Sequence, residues 1–68
     1  MLKKSVLIAG QHQTSISLEE EFFYELKNIA EQQNLSFNQL VTKVDSERTG
    51  ENLSSALRLY VLAYYKNK

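Results

Sequence analysis

The chain has 68 residues, eight basic and eight acidic side chains, a formal net charge of zero, 43% apolar residues and no cysteine. That length excludes more than one small domain. The missing cysteines exclude disulfides and thiolate metal sites, and His12 has no second histidine with which to share a metal.

Chains below about 70–80 residues seldom bury enough apolar surface to be comfortably stable without disulfides, a metal or oligomerisation. With the first two removed, a homodimer is the expected source of the rest of the core. Neutral net charge counts against a strongly basic nucleic-acid binder, but the charges are segregated. Residues 1–18 hold Lys3 and Lys4 and no acid; residues 19–35 hold Glu19, Glu20, Glu21, Glu25 and Glu31 against Lys27 alone; the remainder is mildly basic. Such a distribution can set a positive face opposite a negative one.

Met1-Leu2-Lys3-Lys4 followed by Val6-Leu7-Ile8-Ala9 superficially suggests a signal peptide. The apolar run is too short for one and breaks at Gly10-Gln11-His12-Gln13, so the expected location is cytoplasmic. No run is long enough to span a bilayer. Residues 1–12 are read as an N-terminal arm. Within it, Val6 and Ile8 share the parity of Ile16 and Leu18, so residues 5–9 either fold back on 13–18 as a hairpin, extend it across a bulge, or remain a loose arm. Gly10-Gln11-His12 lacks the Asn-Gly or Asp-Gly pair of a tight hairpin.

Residues 13–18 alternate, with Thr14, Ile16 and Leu18 on one parity and Gln13, Ser15 and Ser17 on the other, as a half-buried strand requires. A lone strand leaves unpaired donors and acceptors along its edges, and everything after Leu18 reads as helix. The predicted partner is therefore the same strand of a second copy.

A first helix is predicted over 19–33, with Ser17 and Glu20 at capping-box spacing and Phe22, Phe23, Leu26, Ile29 and Ala30 on one stripe. Tyr24 falls off that stripe. Asn34 suits a left-handed close and Ser36 the N-cap of a second helix over 37–47, carrying Phe37, Leu40, Val41 and Val44 inward. Thr49-Gly50-Glu51-Asn52 is the clearest break. A third helix over 53–66 has Leu53, Ala56, Leu57, Tyr60, Val61 and Tyr64 on one face, and Leu59, Leu62 and Tyr65 on others. A helix apolar on so many sides is either sandwiched in a core or laid across a partner.

The order strand, acidic helix, Asn34-Leu35-Ser36 turn and second helix resembles the ribbon-helix-helix DNA-binding domains of the Arc and MetJ type. The carriers of the resemblance are Thr14-Ser15-Ile16-Ser17-Leu18-Glu19, Phe22, Leu26, Ile29-Ala30, Leu35-Ser36, Leu40-Val41 and Asn52-Leu53-Ser54-Ser55-Ala56-Leu57-Arg58. It covers nearly the whole chain and looks like that of a subfamily of small bacterial proteins. The fold class it implies is mostly α with one β-strand, a β-α-α ribbon-helix-helix plus an additional C-terminal helix, in an intertwined homodimer. The paired strands would lie in the major groove, with the N-terminus of the second helix touching phosphate. The family pattern often has an arginine just before the Thr-Ser pair, where this chain has Gln13, and the typical domain ends after its second helix.

On such a ribbon Gln13, Ser15 and Ser17 would face base edges, because residues two apart share a face and amide or hydroxyl groups can read bases without charge. A solvated polar strand face is the plainer alternative. Lys3 and Lys4 are candidate phosphate contacts, as are Ser36 and Asn38 at a helix N-terminus, where free amides hold anions; Lys43 and Arg48 are weaker supports. The dimer core is assigned to Ile16, Leu18, Phe22, Leu26, Leu40 and Val41.

Glu19-Glu20-Glu21 has no base, nucleophile or metal partner beside it, so no enzyme and no cofactor is expected. The same glutamates would repel phosphate if they faced DNA. Tyr60, Tyr64 and Tyr65 read as core and interface rather than stacking platforms. The leading expectation is a sequence-specific transcriptional regulator, a repressor associated with the bacterial nucleoid, binding double-stranded DNA. Two alternatives stand beside it: a protein-interaction module that docks a partner through the third helix, and an antitoxin-like regulator.

Overall fold

The computed structural model of the protein describes residues 1–8 and 12–67. Two antiparallel strands, β1 (Leu2–Ile8) and β2 (His12–Leu18), are followed by three helices, α1 (Glu20–Gln32), α2 (Phe37–Glu47) and α3 (Leu53–Lys66). The strands pair from Leu2 opposite Leu18 to Ile8 opposite His12. Directly opposed residues share a face, so the even positions of both strands form one side of the sheet and the odd positions the other. Val6, Ile16 and Leu18 on the even side are buried, and Thr14 is half-buried among them.

This arrangement corrects the expectation that residues 1–12 form an arm. Residues 2–8 are a strand paired with 12–18, which is the hairpin alternative left open for residues 5–9 beside pairing with a second copy. The parity of Val6 and Ile8 carried this outcome: a strand with its own inward apolar residues is stabilised by burying them beside Ile16. The connecting residues Ala9, Gly10 and Gln11 lie outside the described residues.

α2 lies against β1 and α3 against β2, and all three helices contact one another. Ile16, Leu18, Leu26, Ile29, Leu40, Val41 and Leu57 are fully buried in the resulting core. Five of the six residues assigned to a dimer core are thus enclosed within one chain; the sixth, Phe22, is half-buried against the same cluster. No helix among the described residues is long and apolar enough to cross a membrane.

Local signals set the helix ends. Asn34 has φ 59° and closes α1, with Asn34 N–H donating to Glu31 O at 3.1 Å and Leu35 N–H to Ala30 O at 2.8 Å. That paired pattern satisfies the last carbonyls and reverses the chain. Ser36 caps α2 reciprocally: its Oγ accepts from Gln39 N–H at 3.1 Å, and Gln39 Oε1 accepts from Ser36 N–H at 2.8 Å. Asn52 Oδ1 accepts from Ser55 N–H to start α3. The capping box expected between Ser17 and Glu20 does not form. Ser17 lies within β2 and Glu19 is the N-cap of α1, with no side-chain capping bond because its carboxylate is bonded to Arg58.

Candidate nucleic-acid interface

The odd-numbered face of the hairpin turns away from the helices. It presents Lys3 beside Ser17, Ser5 beside Ser15, and Leu7 beside Gln13. Gln13 and Ser15 are exposed and Ser17 is half-buried. The three residues singled out for base contact therefore do share one outward face, to which β1 adds a hydroxyl at Ser5, an ammonium at Lys3 and an exposed apolar side chain at Leu7. Amide and hydroxyl groups can both donate and accept hydrogen bonds, the kind of contact that base edges offer.

Lys4 belongs to the opposite face. Its Nζ sits 4.8 Å from the centroid of the Phe37 ring, at the first turn of α2, in cation–π contact. Lys3 and Lys4 thus serve different places: Lys3 flanks the polar face and Lys4 stands beside the N-terminus of α2. There the capping box already uses Ser36 N–H and Oγ. The amides of Phe37 and Asn38 have no intrahelical acceptor, as for the first residues of any α-helix. Anion-binding capacity at this end rests on those two amides and the Lys4 charge more than on Ser36.

The second feature of the site is the edge of β2 that faces away from β1. Ser17 N–H donates to Ser54 Oγ at 3.1 Å, and Ser17 C=O accepts from Arg58 Nη2 at 3.3 Å. In an antiparallel pair a residue points both backbone groups either at its partner strand or away from it, and successive residues alternate. Ser17 points away from β1, so Ser15 and Gln13 do as well, and their backbone groups line an open edge. Beside that edge lies a cleft of about 610 Å³ lined by Ser15, Ser17, Arg48, Asn52, Ser54 and Arg58, among others.

Arg58 also binds Glu19, with Nε 2.9 Å from Oε1 and Nη2 3.4 Å from Oε2. The guanidinium holds the Glu19 carboxyl below its ordinary pKa, chiefly through this hydrogen bond. One of the three glutamates expected to repel phosphate is therefore paired. Glu20 and Glu21 lie with Tyr24 and Glu25 along an open groove on α1. Arg48 is engaged by Asp45 Oδ1 and Glu51 O, and Lys43 Nζ reaches Gln33 Oε1 at 3.5 Å. Neither cation is directed at the hairpin face by these bonds.

The tyrosines of α3 fasten it to α1. Tyr60 OH accepts from Gln33 Nε2 at 2.9 Å, Tyr65 OH donates to Glu25 Oε1 at 2.5 Å, and Tyr64 OH bonds Gln32 Oε1. Tyr60 and Tyr64 pack against the core, as read from the sequence, whereas Tyr65 is exposed. The bond to Glu25 pushes the Tyr65 phenol above its ordinary pKa. No group of three or more His, Cys, Asp or Glu side chains suited to a metal occurs among the described residues.

Sequence reasoning gave no role to Ser54 and Arg58, which prove to hold the exit of β2. Their signal was the Asn52-Leu53-Ser54-Ser55-Ala56-Leu57-Arg58 element, noted only as a resemblance. In it the N-cap, three core residues (Leu53, Ala56 and Leu57) and two strand contacts fall together, with Ser54 and Arg58 four apart on one side of α3.

A β-hairpin with a polar outer face, backed by three helices and followed immediately by an acidic α1, defines a small ribbon-type domain. The sequence model of the ribbon-helix-helix domain matches residues 1–65, and the chain belongs to that family. No curated protein and no solved structure matches it.

Proposed function

We propose that the protein is a dimeric, sequence-specific DNA-binding transcriptional regulator that sets its hairpin against the major groove. The observation that carries this reading is the membership of residues 1–65 in the ribbon-helix-helix family, whose domains are generally those of DNA-binding regulators. The polar face of Ser5, Gln13, Ser15 and Ser17 supports it. In the proposed dimer the β2 strands of two copies run side by side at the groove centre, with a β1 outside each. At strand spacings of about 4.8 Å the outer strands stand about 14 Å apart, over the walls of a groove about 12 Å wide. Lys3 then meets phosphate, while Gln13 and Ser15 meet bases. Lys4 and the amides of Phe37 and Asn38 add a second phosphate contact at the start of α2. Occupying an operator in the bacterial nucleoid would make the protein a repressor.

The test is selection of bound duplexes from a random pool, followed by a mobility shift on the selected site. Gln13→Ala or Ser15→Ala should reduce preference for that site by about 1–3 kcal/mol per lost base contact. Lys3→Ala should weaken selected and random DNA alike. Unchanged binding by all three variants rules out this face.

A second reading keeps the fold and gives α3 to a protein partner. It is favoured by the exposure of Leu59, Leu62 and Tyr65 on α3 and of Tyr24 on α1, at 56%, 58%, 42% and 65%. Titration with random duplex at low salt separates the two, since a DNA binder must show salt-sensitive non-specific association.

A further inference from the structure

We infer that Glu19 is an internal counter-ion for Arg58: it occupies the guanidinium in place of DNA phosphate and so keeps sequence-independent binding by this end of the hairpin weak. The inference rests on the proposed DNA reading and adds a residue that sets the strength of its electrostatic part.

The pair stands beside the proposed nucleic-acid face. Arg58 Nη2 donates to Ser17 C=O at 3.3 Å, and Ser17 is the outward residue directly opposite Lys3. Lys3 and Arg58 therefore flank one residue from its two sides. Neighbouring strands lie about 4.8 Å apart, so cations on either side of one strand stand about 10 Å apart, close to the Debye length of about 8–10 Å at moderate salt. A phosphate that meets Lys3 lies within electrostatic range of Arg58.

Both members of the pair meet solvent, with the Arg58 side chain 28% exposed and that of Glu19 42%. Either is accessible to a third ion. Arg58 Nε donates to Oε1 at 2.9 Å and Nη2 lies 3.4 Å from Oε2, and a guanidinium fork holds a carboxylate or a phosphate in the same manner. The two anions thus compete for one fork. Glu19 has the advantage of attachment: it is the N-cap of α1, the residue immediately after β2, and its lowered pKa keeps it ionised at neutral pH.

The distribution of charge gives this pairing its weight. The chain is neutral overall and residues 1–18 hold no acid, so the first acid, Glu19, sits where the basic segment ends. Alone it would oppose phosphate; beside Arg58 it is neutralised and neutralises in turn. Glu20 and Glu21 line the groove on α1 with Tyr24 and Glu25. Lys3 is then left as the uncovered cation flanking Ser17. A pair that only fastened α3 to the strand would cost stability when broken from either side and leave the salt dependence of DNA binding where it was.

The test is titration of a random-sequence duplex across a salt series with full-length variants, each checked for native folding by circular dichroism. Glu19→Gln keeps an amide oxygen for the fork but uncovers the Arg58 charge. It should raise low-salt affinity for the duplex several-fold and steepen the slope of log K against log salt by about 1 per chain. Arg58→Gln uncovers the carboxylate and should weaken binding. Arg58→Lys keeps a cation beside Glu19 and should bind as wild type does, and Glu19→Gln combined with Arg58→Gln should return the slope to its wild-type value. Glu31→Gln makes the same change in net charge about 18 Å further along α1, beyond the Debye length, and should leave the slope nearly unchanged.

Equal slopes for folded Glu19→Gln and wild type overturn the inference and leave DNA binding standing. So does an equal steepening by Glu31→Gln, which would make the effect one of net charge alone. Wild-type protein that shows no salt-sensitive association with the duplex overturns the DNA reading itself, and the counter-ion role with it.

Discussion

The guanidinium of Arg58 and the carboxylate of Glu19, 39 positions apart in the chain, meet at 2.9 Å and fasten the last helix to the junction between β2 and α1. The same guanidinium reaches Ser17 C=O, and Ser54 takes the Ser17 N–H. α3 is therefore joined to the strand at its polar end and to the core through Leu53, Ala56, Leu57 and Val61.

Truncating that attachment should separate its polar from its apolar part. Ser54→Ala leaves the Ser17 N–H without its acceptor and should cost about 1 kcal/mol in chemical unfolding. Leu57→Ala empties a fully buried position and should cost about 2–5 kcal/mol. If Leu57→Ala costs no more than Ser54→Ala, α3 is an appendage and not part of the core.

The Glu19 carboxyl predicts a pH dependence of definite sign. Its pKa in the folded chain lies below its ordinary value of 4.5, so the unfolded chain binds the proton more tightly. The stabilisation is complete above the unfolded pKa and is lost as pH falls through the folded one. Thermal melts from pH 7 down through the carboxylate range should show wild type losing more stability than Glu19→Gln. Parallel curves would show that the ion pair does not couple to folding.

Tyr65 gives the opposite limb. Its phenol is raised above 10.0 by its bond to Glu25, so its contribution is present below the unfolded pKa and disappears as pH rises through the folded one. Tyr65→Phe should therefore flatten the alkaline side of the stability profile and leave the acidic side unchanged.

Gly50 has φ 90° in the break before α3, and a Cβ added there would meet nothing within 4 Å. Gly50→Ala should thus be penalised by backbone conformation alone, by about 1–2 kcal/mol in urea unfolding. Gly50→Asn should recover part of the loss, because asparagine tolerates positive φ better.

For DNA, Lys3→Ala should lower the slope of log K against log salt by about 1 for each phosphate contact removed. Gln13→Ala should leave that slope unchanged while narrowing the gap between selected and random sites. A slope change in Gln13→Ala would place that residue at the backbone and not at the bases.

Much of this architecture was legible in the residues. The helical stripes, the left-handed Asn34 and the Ser36 cap are local signals, and each appears where spacing put it. The outward set Gln13, Ser15 and Ser17 followed from period-two alternation and is found on one face. What spacing could not settle was pairing. Val6 and Ile8 had the right parity for a hairpin, but the segment between Ile8 and His12 carries no tight-turn dipeptide, and pairing is decided by tertiary burial. Ser54 and Arg58 escaped for a related reason: their partners are 37 to 41 residues away, and no local rule links a helix's first turns to a distant strand edge. The Ser17–Glu20 box does not form because β2 extends through Ser17 to Leu18, which moves the N-cap to Glu19.

Because β1 lies beside β2 in the same chain, a single chain completes one edge of its ribbon strand and encloses its core by itself. In the proposed dimer, encounter between copies would then be a separate event with its own concentration scale. A cell could tune occupancy of a target through the amount of protein made, without leaving half-built chains behind when that amount is small.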